Sequence, residues 1–225
     1  MATDPPPGPP DPDSLPAALA RHGITLPAGQ IALLDRYARL LWEWNEKFNL
    51  TRHTDYEKFV SRDLVDSLQL AALLLPGETV LDVGTGGGVP GIVLAIVRPD
   101  LQVTLLDSVQ KKIRAVSEIT AALSLPVETV CARVEEHLED ARYDALVFRA
   151  VGPLWELLRW CKPHWNMIGR LLVVKGPKWP EERHEAAHRG LLRALELKLA
   201  GEYPLAGTES QSVILKLWPK GRKER

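Results

Sequence analysis

The chain has 225 residues, 45% of them hydrophobic, enough for one main domain that buries about 70% of its unfolded surface. A formal net charge of −1 gives no global basic field, so a nucleic-acid partner would have to be held by a local patch. Cys131 and Cys161 lie far apart and no run approaches the ~20 apolar residues of a membrane span, which excludes a disulfide framework, a cysteine metal site and a membrane helix. Both thiols read as reduced core residues. With no signal-peptide pattern, the expected compartment is the cytoplasm and no membrane partner is expected.

Residues 1–14 are dominated by proline and aspartate, cannot bury enough surface to offset their ordering entropy, and read as a disordered tail. Over 15–75 the pattern is helical and describes a cap. Ile31, Leu34, Ala38, Leu41 and Trp44 recur at helical spacing and predict a helix of about 18 residues. After a break at Asn49-Leu50-Thr51, Thr54 with Glu57 three residues on forms a capping-box pattern. Val60, Leu64, Leu68, Ala71 and Leu75 would then share one face of the next helix.

Residues 76–220 alternate strand and helix patterns. The stretch 79–96, TVLDVGTGGGVPGIVLAI, predicts a short β-branched strand, a loop with Gly84, Gly86, Gly87 and Gly88, and an apolar helix opened by Pro90. Glycines permit positive φ and close approach of a ligand to the main chain, and the helix start offers unpaired N–H groups. Gly86-x-Gly88-x-x-Gly91 satisfies the dinucleotide fingerprint, in which the helix start receives a doubly charged pyrophosphate. Asp82, two residues before Gly84, would repel that group and suits a cationic amine instead. S-adenosylmethionine carries an ammonium and a sulfonium and no phosphate, so D-x-G-x-G-x-G favours it over NAD. Asp82 could also serve as a loop or helix cap.

A second strand over 101–106 ends in Asp107, placed about twenty residues past the glycines to accept ribose hydroxyls. Asp107 could instead cap the amphipathic helix over 109–123, but Ser108 can do that job, which leaves Asp107 free for the ligand. A third strand (127–132) leads into Arg133-Val134-Glu135-Glu136, and a fourth (143–148) ends at Arg149. A helix near 153–160 is followed by a fifth strand (170–174) ending at Lys175, then a charged helix around 180–197 and strands near 197–202 and 212–218. The basic end at 221–225, with Lys220 before it, reads as a solvated charge run that could assist RNA binding. Such alternation implies a mostly parallel sheet covered on both faces, with ligands beyond the carboxyl ends of the strands. Asp82, Asp107, Arg133, Arg149 and Lys175 should therefore converge on one rim.

Seven segments in order, WNEKFNLT (44–51), LVDSL (64–68), LDVGTGGGVPGI (81–92), LLDSVQKK (105–112), ARVEE (132–136), FRA (148–150) and VKG (174–176), closely resemble the bacterial RsmG family, also called GidB. The resemblance covers about residues 28–218. It implies an α/β, class I S-adenosylmethionine-dependent methyltransferase with a Rossmann-like sheet and an N-terminal helical cap. The implied activity is methylation of N7 of a guanine in 16S ribosomal RNA, with that RNA or the small ribosomal subunit as partner; a monomer without metal is expected. For the cofactor the resemblance implies Gly84 and Val89 in the glycine loop, joined by Asp82 and Gly86, with Val134 and Glu135 near the adenine, Asp107 and Ser108 beside the ribose, and Arg149 at the fourth strand end. Asn49, Arg62, Arg133, Arg149 and Lys175 match polar positions around the substrate cleft. Family members usually carry Arg-His where this chain has Arg62-Asp63, a departure that bears on the substrate more than on the cofactor.

Guanine N7 has a lone pair and no proton, so its methylation needs alignment rather than a general base. The fourth strand end lacks the Asn-Pro-Pro-aromatic motif of amino-group methyltransferases, in keeping with a ring-nitrogen target. Competing readings are a methyltransferase for another RNA, a protein or a small molecule, and a non-catalytic RNA-binding relative. His184-Glu185-Ala186-Ala187-His188 spells the zinc-protease motif H-E-x-x-H, yet its charged neighbours describe a solvated helix face and no third histidine follows, so this reading is rejected.

Overall fold

The structure, a computed structural model, describes residues 11–204 and 209–223; most of the expected N-terminal tail and the last two residues of the basic end lie outside these. The helical pattern at the start of the chain becomes α1 (Leu15–Arg21), α2 (Ala28–Phe48) and a continuous helical run made of α3 (Tyr56–Lys58), a π-helical segment (Phe59–Leu64) and α4 (Val65–Ala71). Then follow β1 (Thr79–Val83), α5 (Gly91–Val97), β2 (Gln102–Asp107), α6 (Gln110–Ala122), β3 (Glu128–Cys131), α7 (Val134–His137), β4 (Tyr143–Arg149), α8 (Leu154–Cys161), a 3-10 turn (Lys162–His164), β5 (Ile168–Lys175), α9 (Trp179–His188), β6 (Leu195–Pro204) and β7 (Gln211–Pro219).

The strands form one seven-stranded sheet in the order β3-β2-β1-β4-β5-β7-β6. The first five pair in parallel, whereas β7 runs antiparallel to both β5 and β6. The central strands are apolar on both faces because both faces are covered. Val80 and Leu105 join a core with α1, α2, α4, α5 and α6, and Leu81 and Leu106 join another with α7, α8 and α9. Strand order reverses between β1 and β4, so the switch point lies beside the carboxyl end of β1.

Four local expectations are corrected. Asp55, not Thr54, caps the second helical run, its side chain accepting from the Lys58 N–H, while Glu57 is drawn to Arg21 and His22 at the end of α1. The π-helical segment adds a residue to the turn and rotates the face that follows. Phe59, Asp63, Ser67, Leu70 and Leu74 are buried alongside the expected Val60, Leu64 and Ala71, while Leu75 lies beyond the end of α4 and is 45% exposed. Helix α9 stops at His188, because Gly190 at φ +71° breaks it and Leu195–Pro204 is already strand. Cys131 is exposed rather than core, since β3 is an edge strand; Cys161 is buried.

The end of the helical run is fastened to the sheet by a buried pair. Arg170 on β5, 1% exposed, donates from Nη1 and Nη2 to the two oxygens of Glu78 at 2.7 Å each and from Nη2 to the Leu73 carbonyl at 3.0 Å. Removing one partner of such a pair leaves the other charged and dry. Arg170→Met is therefore expected to lower the unfolding free energy by about 3–5 kcal/mol, and the double variant Arg170→Met/Glu78→Leu by less, both measured by urea denaturation.

Candidate active site

At the end of β1 the Asp82 side chain turns inward and is 1% exposed. Its Oδ2 accepts from the Thr85 hydroxyl at 2.6 Å and from the Gly91 N–H at 2.9 Å, so it secures the glycine loop and the first turn of α5 together. The other oxygen, Oδ1, is buried without a hydrogen-bond partner. Burial pushes the carboxyl up to about 6 despite these two donors. The loop fits tightly around this carboxylate. A Cβ on Gly91 would lie 2.2 Å from Leu105 and 2.7 Å from Asp82 Oδ2, so only glycine lets α5 pack here. Gly84 has φ +70° and faces Val151.

Tyr37 of α2 closes the loop from the other side, donating to the Gly87 carbonyl at 2.9 Å. Burial, then the carboxylates of Asp63 and Asp82, raises its pKa well above the ordinary value, so it stays a neutral donor. Asn49 takes the left-handed conformation that ends α2, φ +50°, and is exposed. The Leu50 that follows lies against Gly87.

Beside the loop a cleft of about 290 Å³ opens over the ends of β1 to β4, the size of a small-ligand site. Gly84, Asp107, Ser108, Arg133, Val134 and Glu135, all expected from sequence, line it. Lys112, Ala150, Val151 and Trp160 line it too and were not anticipated as site residues. Asp107 is nearly buried: Oδ1 accepts from the Val109 N–H at 2.9 Å, Oδ2 accepts from the Gly86 N–H at 3.1 Å, and Lys112 Nζ stands 3.6 Å from Oδ2. Asp107 itself therefore makes the turn into α6. Ser108 is exposed and makes no cap, which corrects the expected division of labour between the two. Ala150, at φ +56°, turns the chain sharply after β4.

Asp82, Gly86, Val89 and Arg149 do not line this cleft. Arg149 points toward the cap. Nη2 donates to Asp63 Oδ1 at 2.6 Å and Nε to Asp66 Oδ2 at 2.7 Å, both from the helical run before the sheet. His53 Nδ1 reaches the same Asp63 oxygen at 2.8 Å, and the Tyr203 hydroxyl donates to Asp66 at 2.7 Å. Burial opposes the Arg149 charge, yet these two carboxylates hold its pKa above the ordinary value. Lys175 is 8% exposed and is likewise occupied, donating to the Gly152 carbonyl at 2.5 Å and pairing with Glu182 at 2.6 Å. Arg62 is half-buried on the π-helical segment. Arg133 is exposed at the cleft edge. On α9, His184 and His188 are exposed and Glu185 pairs with Arg189 at 2.6 Å. No three His, Cys, Asp or Glu side chains gather as a metal site among the described residues, and no helix among them is long and apolar enough to cross a membrane.

Sequence reasoning passed over Tyr37, Asp66 and Tyr203, and it read His53 as an unpaired surface or packing residue, whereas it meets Asp63. A tyrosine on the buried side of α2 was a usable signal, because a buried hydroxyl has to find a partner. Asp66 and Tyr203, 137 positions apart, offered none.

Sheet order, glycine loop and a cleft at the switch point define a class I methyltransferase with a Rossmann-like fold. Among solved structures, the M. capricolum TrmK in complex with S-adenosyl-homocysteine superposes with a TM-score of 0.56 at 14% identity, over 71% of this chain and 70% of that one. A point mutant of MtNAS gives 0.56 at 13% identity, over 83% and 73%. At these identities the likeness concerns the fold. The chain belongs to the GidB family, rRNA small subunit methyltransferase G, whose sequence model matches residues 30–200. It is 50% identical to the ribosomal RNA small subunit methyltransferase G of Rhodopirellula baltica over 84% of this chain and 81% of that protein. With the enzyme of the same name from Chlorobaculum tepidum it is 38% identical, over 86% and 93%. The protein is thus an enzyme, a methyltransferase.

A carboxyl whose pKa rises on folding, from 3.8 to about 6, binds more protons in the folded state than in the unfolded one between those values. Its stabilising contribution is present below pH 3.8 and is lost as pH climbs toward about 6. Asp82→Asn removes this titration. The stability of the variant relative to the parent is expected to grow by on the order of 3 kcal/mol between about pH 4 and about pH 7, measured by denaturant titration at each pH.

Proposed function

We propose that this enzyme methylates N7 of a guanine in the 16S ribosomal RNA of the small subunit, with S-adenosylmethionine as donor, in the cytoplasm. The observation that carries the reading is the 290 Å³ cleft, which gathers Gly84, Asp107, Ser108, Val134 and Glu135 at the switch point in a chain of the GidB family. The residues present suit the donor. A nucleoside fits a cleft walled by Val134, Val151 and Trp160, with the Asp107 carboxylate at its edge as acceptor. The orphaned Oδ1 of Asp82 leaves negative charge beside the glycine loop, where an ammonium is favoured and a pyrophosphate disfavoured. When bound, the donor supplies an electrophilic methyl group. Guanine N7 has no proton to lose, so the protein's work is to hold the base and exclude competing orientations.

Arg133 is the residue we assign to that task. It stands at the cleft edge with no ion-pair partner among the described residues and can donate to O6 of a guanine or to a phosphate. Arg149 and Lys175 act at one remove. Arg149 fastens the helical run to the end of β4, and Lys175 holds the 150–153 turn that walls the cleft. The Asp63 departure is compatible with an RNA substrate, because the carboxylate is spent internally on Arg149 and His53 rather than presented to a ligand.

The direct test incubates the protein with labelled S-adenosylmethionine and undermodified small subunits and maps the modified base; label on any position other than a guanine N7 of 16S RNA overturns the reading. Arg133→Ala is expected to slow that transfer by up to about 100-fold with cofactor affinity nearly unchanged. Lys175→Ala should instead weaken cofactor binding and lower the melting temperature, both read by a thermal-shift titration with the donor.

A further inference from the structure

A second concavity, of about 490 Å³, lies at the opposite rim of the sheet, where β4 and β5 begin and β7 ends. Arg142, Asn166, Arg170, Trp218, Arg222 and Lys223 line it, and Asp144 is the only carboxylate among its lining residues. Asp144 is already engaged, accepting from the Thr79 N–H at 3.1 Å and hydroxyl at 2.9 Å. Arg170 is neutralised by Glu78. The remaining cations are not matched. Arg222 donates to the neutral Ile168 carbonyl at 2.9 Å, and Arg142 and Lys223 are exposed with no hydrogen-bond or ion-pair partner among the described residues. The chain as a whole carries −1, so this excess is a local concentration and not the tone of the surface.

The same wall holds the half-buried indole of Trp218. Cations flanking a partly open aromatic face are what a single-stranded nucleic acid uses, phosphates on the charges and a base on the ring. We propose that this concavity binds the backbone of single-stranded RNA, with Arg142, Arg222 and Lys223 on phosphates and a base against Trp218. The choice of RNA over another polyanion rests on the function proposed above. The eight residues of β5 separate this rim from the methyl-transfer cleft by roughly 25 Å, so the two sites take different stretches of one large RNA. An intact subunit offers both stretches, and a short fragment around the target guanine does not.

The test compares the parent with Arg142→Glu/Lys223→Glu, and with Arg142→Gln/Lys223→Gln as the milder pair should charge reversal impair folding. Expected for the variants are a KM for small subunits raised about tenfold and a salt dependence of RNA binding shallower by about two units of log–log slope. kcat, donor affinity and activity on a short target fragment should stay at the parent's values. Unchanged KM and salt slope in both pairs would overturn the proposal. So would inorganic phosphate or a nucleoside monophosphate competing as well as an RNA oligomer at equal phosphate concentration, which marks a small-anion site. If the parent binds subunits without methylating them and the variants lose that binding, the concavity stands and the methyl-transfer reading falls.

Discussion

A buried carboxylate at the end of the first strand is the constraint from which the site is built. Asp82 holds two donors that belong to different pieces of structure, the Thr85 hydroxyl of the glycine loop and the Gly91 N–H of α5. Placing a charge there costs free energy, seen in the carboxyl's upward shift to about 6. What offsets the cost is a loop that has one shape. Gly84 can then turn beneath Val151, Gly86 can donate to Asp107, and Gly87 can receive Tyr37. Loosening that carboxylate would release the floor of the cleft and the helix behind it together.

A second polar node governs how the helical run meets the sheet. Arg149 at the end of β4 gathers Asp63 and Asp66, which in turn engage His53 and Tyr203. Five side chains from four parts of the chain thus share one partly buried network, in which the Arg149 charge is offset by the two carboxylates. Two of its members come from the helical run itself, where the π-helical segment sets which residues face inward. The network and the pair between Arg170 and Glu78 fix the run at its middle and its end.

The two rims of the sheet differ in how they use charge. At the carboxyl ends, cations are mostly consumed by neighbouring groups, and Arg133 is exposed at the edge of the cleft. At the other rim, Arg142 and Lys223 stand exposed around an indole. A methyltransferase that has to place one base gains from a cleft whose groups are preorganised. Affinity for a large polyanion can be supplied elsewhere by looser, salt-sensitive contacts.

The order of strands and helices, the glycine loop, the acidic ends of β1 and β2 and the convergence of strand ends on one rim were all legible in the residues, because each rests on short-range periodicity, on a few glycines, or on a rule of parallel sheets. The seven ordered motifs likewise carried the family. Which strand-end charges remain available was not legible. Arg149 and Lys175 look identical to Arg133 in sequence, and only the fold brings Asp63, Asp66 and Glu182 to the first two and leaves the third at the cleft edge. The same holds for Asp107, which forms the turn expected of Ser108, and for Leu75, which lies past the end of α4 and is exposed. Local pattern determines where a side chain sits along its element. Whether its charge is spent or spare depends on partners up to 92 positions away, and those are chosen by tertiary packing.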